Sequence, residues 1–228
     1  MSDRSERDGR RQQQGANGGR RGAGGLFAGL FGRGARGDRP SRAEGLADAA
    51  PATPTAFRDD PVERERLDWR LLESGAVTLY HRSTILSEDS AWLRANGYRL
   101  HVLEAIHWTS GRAFFEGLYP ALGLPDHFAK NLAGWLDALA ELDLPPSGCL
   151  ALEFRHFDSF ARADRQLAQA VLDAIESTSR RLLLTGRRLI ALVQCDDARI
   201  RFERVGAVPV NWNPREWLDA DRGVGVGK

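Results

Sequence analysis

An α/β fold, with a small parallel β-sheet of three or more strands flanked by helices, is what this 228-residue sequence predicts. Three observations carry the prediction. The runs Cys149 to Phe154 and Leu189 to Gln194 are nearly continuous in apolar residues, as strands buried on both faces are. Phe128, Leu132, Trp135, Leu139 and Leu142 are spaced by four, three, four and three, the stripe of a core-facing helix. Strands that alternate with helices imply parallel pairing through right-handed crossovers.

Each element has its own signal. Residues 1–58 carry eleven Arg, no Lys and six acids, a net +5 against −4 for the remainder. This Arg/Gly-rich tail buries too little apolar area to offset its ordering entropy and is expected to be disordered. Leu26, Phe27, Leu30 and Phe31 repeat four apart, enough for one helical turn on a partner, although a linker with a few apolar residues is the simpler reading. Pro51, Pro54 and Pro61 punctuate the end of the tail, and patterning begins at Trp69, Leu71 and Leu72. Residues 62–97 read as a strand-helix extension: Ala76 to His81 alternates as a strand, and Ser87 caps a short helix ending at Asn96-Gly97.

Tyr98 to Ile106 is the next strand, and Phe114, Phe115 and Leu118 mark a helix from Gly111 that stops near Pro120. The striped helix follows, from about Asp126 or Lys130 to Leu142, and Pro145-Pro146-Ser147-Gly148 separates it from the Cys149 strand. One long helix is predicted over Arg162 to Arg181, and then the Leu189 strand. In residues 196–228, Ile200 to Val205 and Val208 to Trp212 suggest a hairpin around Gly206, with a helical turn from Pro214 to Leu218.

No stretch is long and apolar enough to span a bilayer, and acids and glutamines interrupt any secretory pattern, so a cytoplasmic protein without membrane contact is expected. Cys149 and Cys195 fall at opposite ends of parallel strands, too far apart for a disulfide, and offer no metal spacing. Glu153, His156 and Asp158 read as structural, because positions three apart on a strand face opposite sides. Ser83 with His81 lacks an acid partner, and no phosphate-binding glycine loop follows a strand. No catalytic residue, metal or cofactor is therefore expected. Nucleic-acid binding by the tail is disfavoured by its interspersed acids and lack of Tyr.

Within residues 98–195 the string Leu124-Pro125-Asp126-His127-Phe128-Ala129-Lys130-Asn131-Leu132-Ala133-Gly134-Trp135-Leu136-Asp137-Ala138-Leu139 resembles the signature of the barstar family, in which Leu-Pro, a pair often aromatic and a Gly lead into Asn-Leu-Asp-Ala-Leu and an Asp. Leu152-Glu153-Phe154-Arg155 followed by Phe157 is similar to that family's second strand. The resemblance covers about 100 residues and implies a module that plugs the active site of a basic ribonuclease, with carboxylates where RNA phosphates would sit. Carried over by position, Asn131, Leu132 and Asp137 match, and Asp137 falls on the family's principal inhibitory aspartate.

Three positions depart from the pattern: Ala133 replaces an acidic contact, Leu136 stands where an exposed Trp is common, and Ala129 replaces a loop Gly. Asp137 and Glu141 lie four apart, so Glu141 offers a compensating carboxylate on one helix face. Residues 126–143 hold four acids against Lys130, a net −3 that suits a basic partner. His127 occupies the loop position of a family aromatic, or is simply a surface residue, and Glu176 neighbours Ser177, where a further family acid aligns. The resemblance implies an intracellular inhibitor or immunity protein that binds a basic ribonuclease or nuclease toxin and is not an enzyme. The alternative is a non-inhibitory scaffold that docks another protein or RNA through its tail.

Overall fold

The computed structural model describes residues 56–125 and 127–217, so the expectations for the tail, for Leu26 to Phe31 and for Asp126 lie outside it. Pro61 starts α1 (Pro61–Arg64), where the Asp60 carboxylate accepts from the Glu63 N–H at 2.9 Å. There follow α2 (Leu67–Glu73), β1 (Val77–Tyr80), α3 (Ser83–Ala95), β2 (Arg99–Glu104), a 3-10 turn (Ala105–His107) and α4 (Gly111–Leu122). The chain continues through α5 (Leu132–Ala140), β3 (Cys149–Arg155), α6 (Phe157–Ala163), α7 (Arg165–Leu183), β4 (Arg188–Gln194), β5 (Asn211–Trp212) and α8 (Pro214–Trp217).

The five strands form one sheet in the order β2-β3-β4-β1-β5, and every neighbouring pair is parallel. The protein is thus α/β, as the apolar runs predict. Alternation of side chains along the strands divides the core in two. On one face Leu150, Leu152, Phe154, Leu189, Ala191 and Val193 pack against apolar residues of α4, α5, α6 and α7. On the other, Cys149, Ala151, Ile190 and Leu192 meet Leu71 of α2 and Ile85, Leu86 and Leu93 of α3.

Two buried carboxylates tie the terminal additions to the sheet. Asp68, fully buried on α2, accepts from the Tyr98 hydroxyl at 2.9 Å, Arg66 at 3.0 Å and Arg188 of β4 at 3.1 Å. Asp89 of α3 accepts from the Tyr80 hydroxyl and the Asn213 amide, both at 2.8 Å, and from Arg215 at 3.2 Å. Burial is the main cause that raises the Asp89 pKa, against the lowering effect of these donors.

Several elements differ from their sequence signals. β1 is buried on both faces, because it lies inside the sheet between β4 and β5 and is not an amphipathic edge. α3 begins at Ser83 without a side-chain cap, so Ser87 sits within the helix. α4 runs through Pro120 to Leu122, losing only the hydrogen bond that Pro cannot donate, and is closed by Gly123 in the left-handed region at φ 64°. α5 is shorter than its stripe: Phe128 and Leu142 join the same core from flanking loops.

The long helix expected from Arg162 is two helices. Asp164 breaks the chain at φ −146°, ψ 87°, and its carboxylate caps α7 through the Leu167 N–H at 3.0 Å. The terminal hairpin reduces to a single antiparallel bridge between Val205 and Val208, and the chain then returns to pair β5 in parallel with β1. Cys149 and Cys195 are both buried free thiols.

Candidate functional site

The residues singled out between 127 and 141 form one surface, built from α5 and the loop before it. Asn131 opens the helix in extended conformation, and its side-chain oxygen accepts from the Gly134 N–H at 2.9 Å. Gly134, Trp135, Ala138 and Leu139 face inward, which leaves Ala133, Leu136 and Asp137 on the outer side. Leu132 is half-buried and packs against the core, so it supports the surface from beneath.

The loop is held onto the helix by two features that the sequence reading missed. The Tyr119 hydroxyl of α4 donates to the Ala129 carbonyl at 2.7 Å, and the Asn131 N–H reaches the same oxygen at 2.8 Å. That carbonyl also presses against Gly134, where a Cβ would lie 1.9 Å from it. Only a glycine admits this approach. Phe128 is anchored in the core, and the exposed His127 ring rests against it with centroids 4.3 Å apart. A tyrosine at the inward end of an apolar helix face was the one available signal for the latch, and its hydroxyl needed a partner.

Asp137 and Glu141 are both exposed, and the Glu141 N–H donates to the Asp137 carbonyl at 3.1 Å as the helix ends. Glu141 is the residue that closes α5 and does not lie within it. Among the described residues neither carboxylate is hydrogen-bonded or ion-paired through its side chain. Burial is the first cause that raises the Tyr119 pKa, and the nearby charge of Asp137 adds to it. Asp143 is drawn aside by Arg99 at 3.5 Å. The outer face of α5 thus presents the Asp137 carboxylate beside an apolar pair, Ala133 and Leu136, the latter 42% exposed, and Glu141 is exposed where the helix ends.

Glu176 is placed elsewhere. It is buried on α7, where its carboxylate accepts from the Ala76 N–H at 2.6 Å and from Arg180 at 2.8 Å, so it secures the entry to β1 and offers nothing to a partner. The Glu153, His156 and Asp158 set does not converge on one point either. Glu153 accepts from Ser90 and Arg155 inside the protein, Asp158 accepts from Arg162 and the Asp196 N–H, and His156 turns to Asp196. Among the described residues no cluster of His, Cys, Asp and Glu has the arrangement of a metal site, and no helix is long and apolar enough to cross a membrane.

With this geometry in place, comparison with known families is informative: residues 89–194 match the family model described as Barstar (barnase inhibitor). No curated protein matches the chain.

Proposed function

We propose, from the premise that this chain carries a barstar-like domain, that it binds a basic ribonuclease or nuclease toxin and occludes the active site without turnover. The observation that carries the proposal is Asp137: it is exposed on the outer face of α5, its side chain is unbonded among the described residues, and the sequence resemblance aligns it with the family's inhibitory aspartate. A free carboxylate on a preorganised helix needs no internal ion pair broken before it meets a cationic cleft. The loop carrying His127 is latched beside it, and Glu141 adds a second negative charge one turn on. The function is therefore electrostatic and steric mimicry of an RNA backbone. The partner is recognised by its basic active site, and the expected compartment is the cytoplasm.

A second reading, a barstar-fold scaffold that does not inhibit, is favoured by Ala133 and the exposed Leu136, which give α5 a less acidic centre than the family pattern. The test is titration of the full chain against a panel of basic ribonucleases, with activity and heat of binding measured together. Inhibition by the native chain should weaken at least about 30-fold in Asp137→Ala, equivalent to about 2 kcal/mol for a desolvated hot spot. A chain lacking residues 1–58 should inhibit equally well. Binding that is lost with the tail and indifferent to Asp137 would select the scaffold.

A further inference from the structure

The carboxyl ends of the strands hold a crevice that none of the docking residues lines. β1 leaves the sheet through α3 on one face, whereas the segment after β4 crosses the other, where Ile200, Phe202 and Val205 join the core. β4 and β1 are neighbours, so the chain parts between them. Open α/β sheets bind their ligands at this topological position. Here a cavity of about 370 Å³ is lined by His81, Ser83, Ser87, Arg155, His156 and Asp196, with Leu86 and Gln194 completing the wall.

Most donors of the wall are spent within it. The His156 main-chain N–H donates to the Gln194 side-chain oxygen at 2.7 Å, and the Gln194 amide donates to Asp196 at 2.8 Å. The other Asp196 oxygen is 2.7 Å from His156 Nδ1, and Nδ1 of His81 lies 3.2 Å from the Cys195 carbonyl. A carboxylate and a carbonyl can only accept, so both Nδ1 atoms carry the proton. Burial disfavours the Asp196 charge, but the bonds from His156 and Gln194 outweigh it and hold the carboxyl below its ordinary value. The Arg155 guanidinium is matched by Glu153 at 2.7 Å and Glu104 at 3.3 Å.

What remains is lone pairs. With the proton on Nδ1, Nε2 of each neutral imidazole is an acceptor, and none of the described residues donates to it. Each Asp196 oxygen takes one bond from the wall and has capacity for another. The Ser83 and Ser87 hydroxyls, which accept as readily as they donate, have no partner among the described residues. Behind His81, the buried Glu216 carboxylate takes the His81 and Arg82 N–H groups on Oε1, while its Oε2 has no hydrogen-bond partner. The surplus is therefore of acceptors, beside an ionised Asp196. No three His, Cys, Asp or Glu side chains among the described residues are grouped to hold a metal ion, so these lone pairs call for N–H donors.

We infer that this crevice binds the primary ammonium group of a small aliphatic amine, held by Nε2 of His81 and of His156 and by the Asp196 carboxylate. Such a group brings three N–H donors and one positive charge. The lining contains no Phe, Tyr or Trp, so a quaternary ammonium, which has no N–H and is recognised by aromatic faces, finds nothing to hold it. The five histidines make the test internal, since His101, His107 and His127 lie outside the cavity. Full-length protein labelled with nitrogen-15 in histidine is titrated with ethanolamine at pH 8, above the ordinary imidazole value of about 6.5. Choline is the charged control without N–H, and ethylene glycol the neutral one.

Saturable shifts confined to His81 and His156 are expected with ethanolamine, with affinity at least about tenfold weaker for choline and no saturable shift with ethylene glycol. Affinity for ethanolamine should fall at least about tenfold in both Asp196→Asn, on an exposed position, and His156→Asn, which tolerates the left-handed backbone observed there at φ 54°. Absence of saturable shifts, equal shifts at all five rings, choline bound as tightly as ethanolamine, or unchanged affinity in Asp196→Asn would each overturn the inference. Ribonuclease inhibition should be the same in these variants, which keeps this outcome separate from that of the proposed docking surface.

Discussion

At Asp137 the chemistry of the proposed docking surface is set by what does not surround it. A carboxylate on an exposed helix face keeps its hydration until a partner replaces it, and none of the described residues competes for it. Tyr119 acts at one remove, by fixing the loop through Ala129. Tyr119→Phe should cost about 1 kcal/mol, since the carbonyl keeps its bond from Asn131, and should lower Tm by about 2–4 °C. Amide exchange at residues 127–131 should quicken in the same variant; an unchanged rate would remove the latch from the account. The cysteines are governed by burial, which pushes both thiols above their ordinary value. Neither should be alkylated in the folded state at pH 8. The sign of the linkage follows: folded thiols resist ionisation, so their contribution is complete below the free-thiol value of about 8.5 and is lost as pH rises beyond it. Alkaline melts of the Cys195→Ala variant, compared with the native chain, should show a shallower decline above that pH.

Among the elements, α5 shows how one backbone contact constrains a whole surface. A Gly→Ala change within a helix normally gains about 1 kcal/mol, but at Gly134 the new methyl would meet the Ala129 carbonyl at 1.9 Å. Gly134→Ala should therefore destabilise by about 2 kcal/mol, through overpacking, and move the loop that carries His127. Thermal melting checks the first effect, and loss of partner affinity beyond that of a core variant checks the second. The motif at 124–139 was readable because it combines a helix stripe, an Asn cap and an ordered string of side chains. The start of α3 was not, since Ser87 has the chemistry of a cap while Arg82, which precedes the helix, makes no side-chain cap. Asp164 has the same ambiguity in reverse. It continues a helical pattern in sequence, yet its carboxylate caps α7 after the break that separates it from α6.

For the molecule as a whole, the terminal additions are part of the sheet. β1 pairs with β4 from Val77 to Tyr80, and α2 and α3 cover Ile190 and Leu192. A fragment containing only residues 98–195 would expose that face and leave Arg188 without Asp68. Such a fragment is expected to lose its cooperative thermal transition and bind a hydrophobic dye; a sharp melt near that of the full chain would show that the additions are dispensable. The sequence by itself determined the α/β class, the two continuous strands, the core stripe and the exposed side of α5, because burial leaves a periodic trace that is local in the chain. It also placed Asp137 on that exposed side through the ordered motif. Only the tertiary structure decided that β1 lies inside the sheet, that Glu176 is spent on Ala76, that Tyr119 latches the loop, and that His156 faces Asp196 across 40 positions of sequence. Those facts depend on which strands become neighbours and where two connections part. Pairing order is chosen by the joint packing of distant segments, and no local pattern records it.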